Sequence, residues 1–223
     1  MQPFDSLTHH GQVRRLRHLA AQALGQYDLG GEARFTLLLH LANTTFRVTG
    51  PDGAQYALRV CQPNTRTVDE LRSEALWLAA LRHDTGLGVP EPVPTRDGDL
   101  LTTARADGVP QWRACLLFRW VEGRFLRRRL TPARLRQVGV LTARLHAHAA
   151  SFPLPPAFTR PCLDVEVTLS RWQSQADDSL LTTVSLEDRA LFYTAADRIR
   201  AAINGLGLSA DRFGLIHADL HHG

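Results

Sequence analysis

The stretch TTFRVTGPDGAQYALRV, residues 44–60, contains two runs rich in β-branched or aromatic residues on either side of Gly-Pro-Asp-Gly. Such runs predict strands, and Gly-Pro-Asp-Gly is typical of a turn, so the stretch predicts a β-hairpin. Along its second strand, the strand period places Leu58 and Val60 on one face and Ala57 and Arg59 on the other. Arg59 is therefore an isolated charge on a strand that is otherwise rich in apolar residues.

A helix is predicted to begin directly after this hairpin. Thr67 followed three residues later by Glu70 is the pattern of a capping box. The apolar residues that mark one face of the helix are Leu71, Ala75, Leu78 and Leu81.

Glu74 falls inside that apolar stripe, where a carboxylate needs a partner because an unpaired buried charge is costly. The nearest candidate is Arg59 on the preceding strand, so an ion pair between strand and helix would satisfy both residues. In the other interpretation, Glu74 lies at the margin of the stripe and Arg59 reaches solvent as an ordinary strand residue.

The predicted secondary structure changes near the middle of the chain, from mainly strands to mainly helices. A lead-in helix up to about residue 30 and a strand over residues 34–40 precede the hairpin, and extended segments follow over 89–94 and 115–121. Thr131 with Pro132 predicts the start of a helix that Pro153 ends. Ser185 predicts the start of another helix, closed by Gly205. These elements predict an α+β protein with two lobes.

Composition limits the classes of function. The 223 residues are 44% hydrophobic, and neither a run long enough to span a bilayer nor a signal peptide occurs, so a cytoplasmic protein without a membrane partner is expected. Three separated cysteines indicate neither a disulfide framework nor a zinc cluster. All 26 basic residues are arginine. The densest basic patch is GRFLRRRL, residues 123–130, and its helical spacing favours a solvated helix face over a nucleic-acid contact.

The last ten residues, GLIHADLHHG (214–223), contain three histidines and one aspartate. His217, Asp219 and His221 alternate, with His222 adjacent. Imidazole and carboxylate are ligand types for a transition metal. Asp219 could instead accept a proton from an attacking hydroxyl, as in the His-x-Asp-x-x-x-x-Asn loop of phosphoryl-transfer enzymes. The third interpretation is a frayed polar terminus, and the pattern by itself leaves all three open.

The order of these features resembles the aminoglycoside-phosphotransferase family of kinase-like enzymes, over roughly residues 30–223. The stretches SEALWLAALRHDTGLGVPEPVPTRDGDLL and CLLFRWVEGR are most similar to the branch with type II homoserine kinases and bacterial stress-response Ser/Thr kinases. The resemblance implies a protein-kinase-like two-lobed fold. Residues 1–118 would form the nucleotide-binding lobe, with a small antiparallel sheet and a helix, and 119–223 the hinge and an incomplete, mostly helical lobe.

The resemblance also implies a nucleotide site. Arg59 would take the place of the family's strand lysine on the ATP phosphates, with Glu74 as its helix partner, and Ala57 would cover the adenine. Where relatives have a glycine-containing phosphate loop, this chain has LLLHLANTTF, with Asn43 and Thr44 as the expected turn.

In the resemblance, FRWVEG is the hinge and the tail is the catalytic loop. The Arg119 carbonyl and the Val121 amide would read the adenine edge, and Phe118 would back the pocket. Asp219 would be the catalytic base and His217 a residue that supports its loop. The implied activity is ATP-dependent transfer of the γ-phosphate to a hydroxyl of a small molecule or protein.

In the family's pattern, the asparagine follows the aspartate by five residues, which would be the position after Gly223. The magnesium ligands are therefore expected beyond the chain end, and the 223-residue chain alone is expected to be inactive. Self-association through the incomplete lobe is also expected, because helices over 132–149 and 186–203 have apolar faces. The alternative functions are a non-catalytic nucleotide-binding or interaction module and, less favoured, a His/Asp metal-binding protein.

Overall fold

The computed structural model describes residues 2–123, 131–162, 166–167, 184–207, 209 and 212–219. The chain forms two compact units. The first comprises residues 1–125 together with 154–160, and the second comprises residues 126–153 and 161–223. The basic residues 124–130 lie outside the described residues, so the patch predicted there stays a prediction.

The first unit is a sheet with helices. A short 3-10 helix at Phe4–Ser6 precedes α1 (His9–Leu24), β1 (Arg34–His40), β2 (Thr44–Thr49), β3 (Gln55–Val60), α2 (Val68–Thr85), β4 (Pro92–Val93), β5 (Thr102–Ala104) and β6 (Arg113–Arg119). Every strand pairing is antiparallel, in the order β1-β2-β3-β6-β4, and β5 also pairs with β6. The predicted hairpin over residues 44–60 is therefore confirmed, and so is the antiparallel sheet.

The sheet is covered on both faces. Leu58 and Val60 pack with α1 residues in one apolar cluster, which Cys115 and Leu117 of β6 also join. The intervening β6 residues face the other way: Leu116 and Phe118 pack with Leu71 and Ala75 of α2 in a second cluster. Because β6 alternates between apolar clusters, it is buried on both faces, which explains its nearly continuous apolar run.

Helix α2 begins and ends as its sequence predicts. The Thr67 hydroxyl accepts a hydrogen bond from the Glu70 amide at 3.1 Å, and the Glu70 carboxylate accepts one from the Thr67 amide at 2.8 Å. Both bonds of the capping box are thus present. The helix ends at Gly86, which has φ 63°, a left-handed conformation that glycine adopts without strain.

The second unit contains α3 (Pro132–Ser151) and α4 (Leu186–Leu206). Thr131 and Ser185 cap them as predicted, each accepting a hydrogen bond from the amide three residues on. The predicted stop at Gly205 is wrong: α4 continues through Gly205 to Leu206, and the residue that follows the helix is Gly207, which has a positive φ of 76°.

Two further observations complete the fold. None of the helices in the described part of the chain is both long enough and apolar enough to cross a bilayer. Cys61 and Cys115 are buried and Cys162 is exposed, and none of the three forms a disulfide bond with another described cysteine.

Candidate functional site

The predicted pair between β3 and α2 is confirmed. Arg59 Nη1 donates a hydrogen bond to Glu74 Oε1 at 2.7 Å, and the two side chains are 23% and 22% exposed. Burial alone would lower the pKa of Arg59, but the neighbouring charge of Glu74 raises it above its ordinary value. The guanidinium therefore stays protonated on a largely buried surface.

Arg59 has hydrogen-bonding capacity left over. Its Nε and Nη2 atoms are buried and make no hydrogen bond with an oxygen or nitrogen atom of any residue that the structure describes, and the neighbouring Cys61 thiol is only a weak acceptor. A buried donor without an acceptor is destabilising, so an oxygen-rich anion at this place would be favourable. The arginine is thus both anchored by Glu74 and short of acceptors.

Apolar residues lie beside this guanidinium on the α2 face. Ala57 of β3 is the register partner of Phe118 on β6. Phe118 is 5% exposed, and the Arg59 guanidinium carbon lies 5.2 Å from the centre of its ring, in the range of a cation–π contact. The structure therefore brings Ala57, Arg59, Glu74 and Phe118 together.

The predicted hinge follows β6 directly. The Arg119 amide donates to the Glu91 carbonyl at 2.8 Å, and the Trp120 amide donates to the Gln55 carbonyl at 3.1 Å. Val121 is 42% exposed, and its amide has no hydrogen-bond acceptor among the described residues. These bonds fix the backbone up to Trp120, directly before the Val121 amide that is predicted to read the adenine edge.

A cavity of about 300 Å³ borders this hinge, and its lining includes Arg119, Trp120 and Val121 together with residues 88–89 and Glu91. Its lining among the described residues includes neither Ala57 nor Phe118. The cavity therefore includes the two predicted hinge residues of the adenine site, Arg119 and Val121, but not Ala57 or Phe118.

The turn between β1 and β2 corrects one expectation. Asn43 lies in the turn, where its Oδ1 accepts a hydrogen bond from the Gln62 amide at 3.0 Å. Thr44 is instead the first residue of β2 and is 3% exposed, with its hydroxyl 2.7 Å from His40 Nδ1. The strand period places its side chain on the α1 face with Phe46, away from Arg59. Only Asn43 of the two is therefore a turn residue.

The two catalytic candidates lie in the second unit and are exposed. The Asp219 amide donates a hydrogen bond to His217 Nδ1 at 3.2 Å. Ala218 between them has φ 63°, which is unusual for a residue with a side chain. His217 thus contacts the backbone of Asp219, and the catalytic roles of both residues stay predictions.

The metal-ligand interpretation of the tail stays a prediction. No group of three or more His, Cys, Asp or Glu side chains within the described ranges is arranged to hold a metal ion. His221 and His222, which the metal interpretation also used, lie outside the described residues.

Sequence reasoning missed Arg160, which also contacts Glu74. Arg160 Nη1 lies 3.3 Å from Glu74 Oε2, across 86 positions of sequence. Residues 154–160 belong to the first unit, although the residues on either side of them belong to the second. No periodicity or motif links Arg160 to α2, so only the fold reveals this contact.

Comparison with known proteins identifies the family of the chain. The profile of the phosphotransferase enzyme family, APH, matches residues 36–223. Amicoumacin kinase of Bacillus subtilis (strain 168) is 25% identical over 232 residues, which cover 96% of this chain and 61% of that protein.

Two solved structures share the fold. The microcompartment-associated aminopropanol kinase is 32% identical, with a TM-score of 0.74 over 92% of this chain and 62% of its own. An amicoumacin kinase in complex with AMP-PNP, Ca²⁺ and Ami is 21% identical, with a TM-score of 0.71 over 96% and 62%. The chain thus spans about three fifths of the length of these relatives. With a profile match over most of its residues and a kinase-like fold, the chain belongs to the APH phosphotransferase family.

Proposed function

We propose that the protein is an ATP-dependent phosphotransferase that transfers the γ-phosphate to a hydroxyl group of a small molecule. The observation that carries this proposal is Arg59, a protonated guanidinium anchored by Glu74 with two buried nitrogen atoms that lack an oxygen or nitrogen acceptor among the described residues. Phosphate oxygens are strong acceptors for arginine, so the residues present fit the triphosphate of ATP.

In this proposal, residues 1–118 bind the nucleotide, and residues 119–223 supply the hinge and a helical lobe. Ala57 and Phe118 contact the adenine, and the Arg119 carbonyl and Val121 amide bind its edge. Support for this assignment comes from the location of Ala57 and Phe118 beside Arg59 and from the hydrogen bonds that fix the backbone directly before Val121. Asn43, in the turn after β1, is the remaining candidate for a phosphate contact there.

ATP supplies the phosphoryl group, and Asp219 acts on the acceptor. Its carboxylate accepts the proton of the acceptor hydroxyl while the hydroxyl oxygen forms a bond to the γ-phosphorus. The bond between that phosphorus and the β,γ-bridging oxygen breaks, and ADP leaves with the electron pair. His217 keeps the Asp219 backbone in place through its hydrogen bond to the Asp219 amide.

ATP in this family is expected to bind with a divalent cation, and the amicoumacin kinase complex contains Ca²⁺ together with AMP-PNP. Because the described residues contain no cluster suited to a metal, the proposal assigns no metal ligand to them.

The acceptor class follows from the relatives. Both are named for small molecules, amicoumacin and aminopropanol, and the second name denotes an amino alcohol. This favours a small hydroxyl compound over a protein as the substrate.

The test is ATP turnover by the full-length protein with a panel of amino alcohols and amicoumacin-like compounds. Asp219→Asn should lower kcat by about a thousandfold while AMP-PNP still binds, because Asp219 acts on the hydroxyl rather than on the nucleotide. Arg59→Gln should weaken AMP-PNP binding. Asp97→Asn, on an exposed turn, is the matched control and should leave both unchanged. Nucleotide binding without turnover of any acceptor would instead favour a non-catalytic module.

A further inference from the structure

A downstream segment of the chain docks on helix α2. Residues 154–160 return to the first unit, where the Thr159 amide donates a hydrogen bond to the Ser73 hydroxyl at 2.9 Å. Ser73 is 2% exposed, so its hydroxyl is available to Thr159 and not to water. Arg160 Nη1 donates to the Glu70 carbonyl of the same helix at 2.7 Å. These bonds fix the end of the segment against two turns of α2.

The same arginine completes the environment of Glu74. Arg160 Nη1 reaches Glu74 Oε2 at 3.3 Å, while Arg59 Nη1 reaches Glu74 Oε1 at 2.7 Å. One carboxylate therefore holds one arginine on each oxygen. All three side chains are between 22% and 25% exposed, so water competes only partly for these contacts.

A carboxylate held at one oxygen can rotate about its terminal torsion and carry its partner with it. Held at both oxygens, Glu74 has a defined plane, and the Arg59 guanidinium that it binds has a defined direction. The charges are also unequal in number: two guanidinium groups face one carboxylate, which leaves one positive charge uncompensated. That excess is suited to a polyphosphate.

We propose that Arg160 is a positioning residue of the nucleotide site. Together with Thr159 it fixes residues 154–160 to α2, and through Glu74 it holds Arg59 in the orientation that receives the ATP phosphates. This rests on the proposed function, because it takes ATP to be the ligand of Arg59.

The experiment measures AMP-PNP affinity of the full-length protein by calorimetry, together with the melting temperature. Arg160→Gln should weaken AMP-PNP binding by about tenfold, within the range of coupling through a shared ion-pair network. Arg160→Lys keeps the charge and one donor and should recover part of the affinity. Ser73→Ala removes the acceptor of the Thr159 amide without changing any charge, and it should weaken binding in the same direction.

The matched control is Arg72→Gln. Arg72 lies on the same helix and pairs with Asp69 and Asp99, but it does not contact Glu74. It should leave AMP-PNP affinity within about twofold. A double-mutant cycle supplies the second readout: in a Glu74→Gln background, Arg160→Gln should have little further effect on affinity, because its route to Arg59 is already broken.

The outcomes separate the two proposals. If the unaltered protein does not bind AMP-PNP, the proposed function fails and this inference fails with it. If the unaltered protein and Arg160→Gln bind AMP-PNP equally, only this inference is overturned, whatever happens to the melting temperature. Additive effects of Arg160→Gln and Glu74→Gln on affinity would also overturn it, because Arg160 would then act independently of Glu74.

Discussion

The two units of the chain have similar helix-capping signals but differ in how far their apolar side chains are buried. In the first unit, strands and helices bury their apolar faces: Phe46, Leu58 and Leu117 have no exposed surface. In the second, α3 and α4 have well-formed caps, yet Leu145 and Ala196 are the only apolar residues buried among those described. Capping determines where a helix begins, and burial determines how much the helix contributes to stability.

The exposed apolar side chains of α4 show this difference most clearly. Leu186, Leu191 and Ile199 are 82%, 68% and 52% exposed. Apolar faces of this kind are usually covered in a stable protein. We expect the two units to differ strongly in local stability when the 223-residue chain is prepared by itself.

Hydrogen exchange should give the largest contrast. Amides of β3 and β6, which lie inside the sheet with a paired strand on either side, should exchange only by global unfolding, whereas those of α4 should exchange through local opening. We expect protection to differ by at least about a thousandfold, measured by mass spectrometry at low protein concentration. Equal protection of residues 186–206 and of β3 would show that the second unit is as stable as the first.

The uncovered faces also predict self-association of the isolated chain. We propose that α3 and α4 associate through their apolar side chains, so that light scattering gives at least twice the monomer mass at high concentration. Leu191→Ser should reduce this association, and Leu58→Ala in the sheet should have no direct effect on it. A monomer at all concentrations would contradict this prediction.

A pair of leucine truncations tests the same contrast in free energy. Leu58→Ala removes a side chain with no exposed surface and should lower the free energy of unfolding by about 2–5 kcal/mol. Leu191→Ala removes a side chain that is 68% exposed and should change it by less than about 0.5 kcal/mol. Urea titrations measure both, and similar losses at the two positions would remove the basis of the comparison.

Most of the fold was predictable where the signals are local. The hairpin over 44–60, the capping box at Thr67 and the caps at Thr131 and Ser185 each depend on a few neighbouring residues. Gly205 was wrongly taken as a helix stop, because two glycines flank Leu206 and either can follow a helix. Thr44 was assigned both to the first strand of the hairpin and, through the family resemblance, to the turn before it, and the structure agrees with the strand.

In the candidate site, too, some contacts could be predicted from the pattern of neighbouring residues and others could not. Arg59 and Glu74 could be paired from sequence because each breaks the apolar pattern of its own element. Arg160 could not, since its contact depends on a chain return over 86 residues. The roles of Asp219, His217 and the hinge residues were given by family resemblance rather than by the residues alone, and they stay predictions.

Removal of the Glu74 carboxylate from the ion pair on the α2 face should have the next largest effect on the free energy of unfolding. Glu74→Ala leaves both Arg59 and Arg160 without their carboxylate on a surface that is about three quarters buried. We expect a loss of about 2–4 kcal/mol in the free energy of unfolding, in the range for orphaning a buried charge. Thermal and urea unfolding measure it. An unchanged stability would mean that water replaces Glu74 at both arginines.

The smallest expected effect concerns exposed ion pairs, which occur in both units. In the first, Arg72 Nη2 lies 2.9 Å from Asp99 Oδ2, and the hydrogen bond from Arg72 lowers the pKa of Asp99 below its ordinary value. In the second, Arg200 pairs with Glu166 and Asp197 on an exposed surface. Asp99 is 43% exposed, so water screens its pair and limits its contribution.

We expect Asp99→Asn to cost about 0.5 kcal/mol at pH 7, within the range of exposed pairs. Because the folded pKa of Asp99 is lowered, this contribution is present above the unfolded pKa and is lost as the pH falls through the folded one. The difference between Asp99→Asn and the unaltered chain should therefore vanish in acid, whereas the cost of Leu58→Ala should persist wherever the chain is folded. Arg200→Gln, measured beside it by urea unfolding, should not change the main transition, because the second unit contributes little to it. A loss for Arg200→Gln that matches or exceeds the loss for Asp99→Asn would mean that the two units unfold together, and that the second is stabilised by its surface charges rather than by a core.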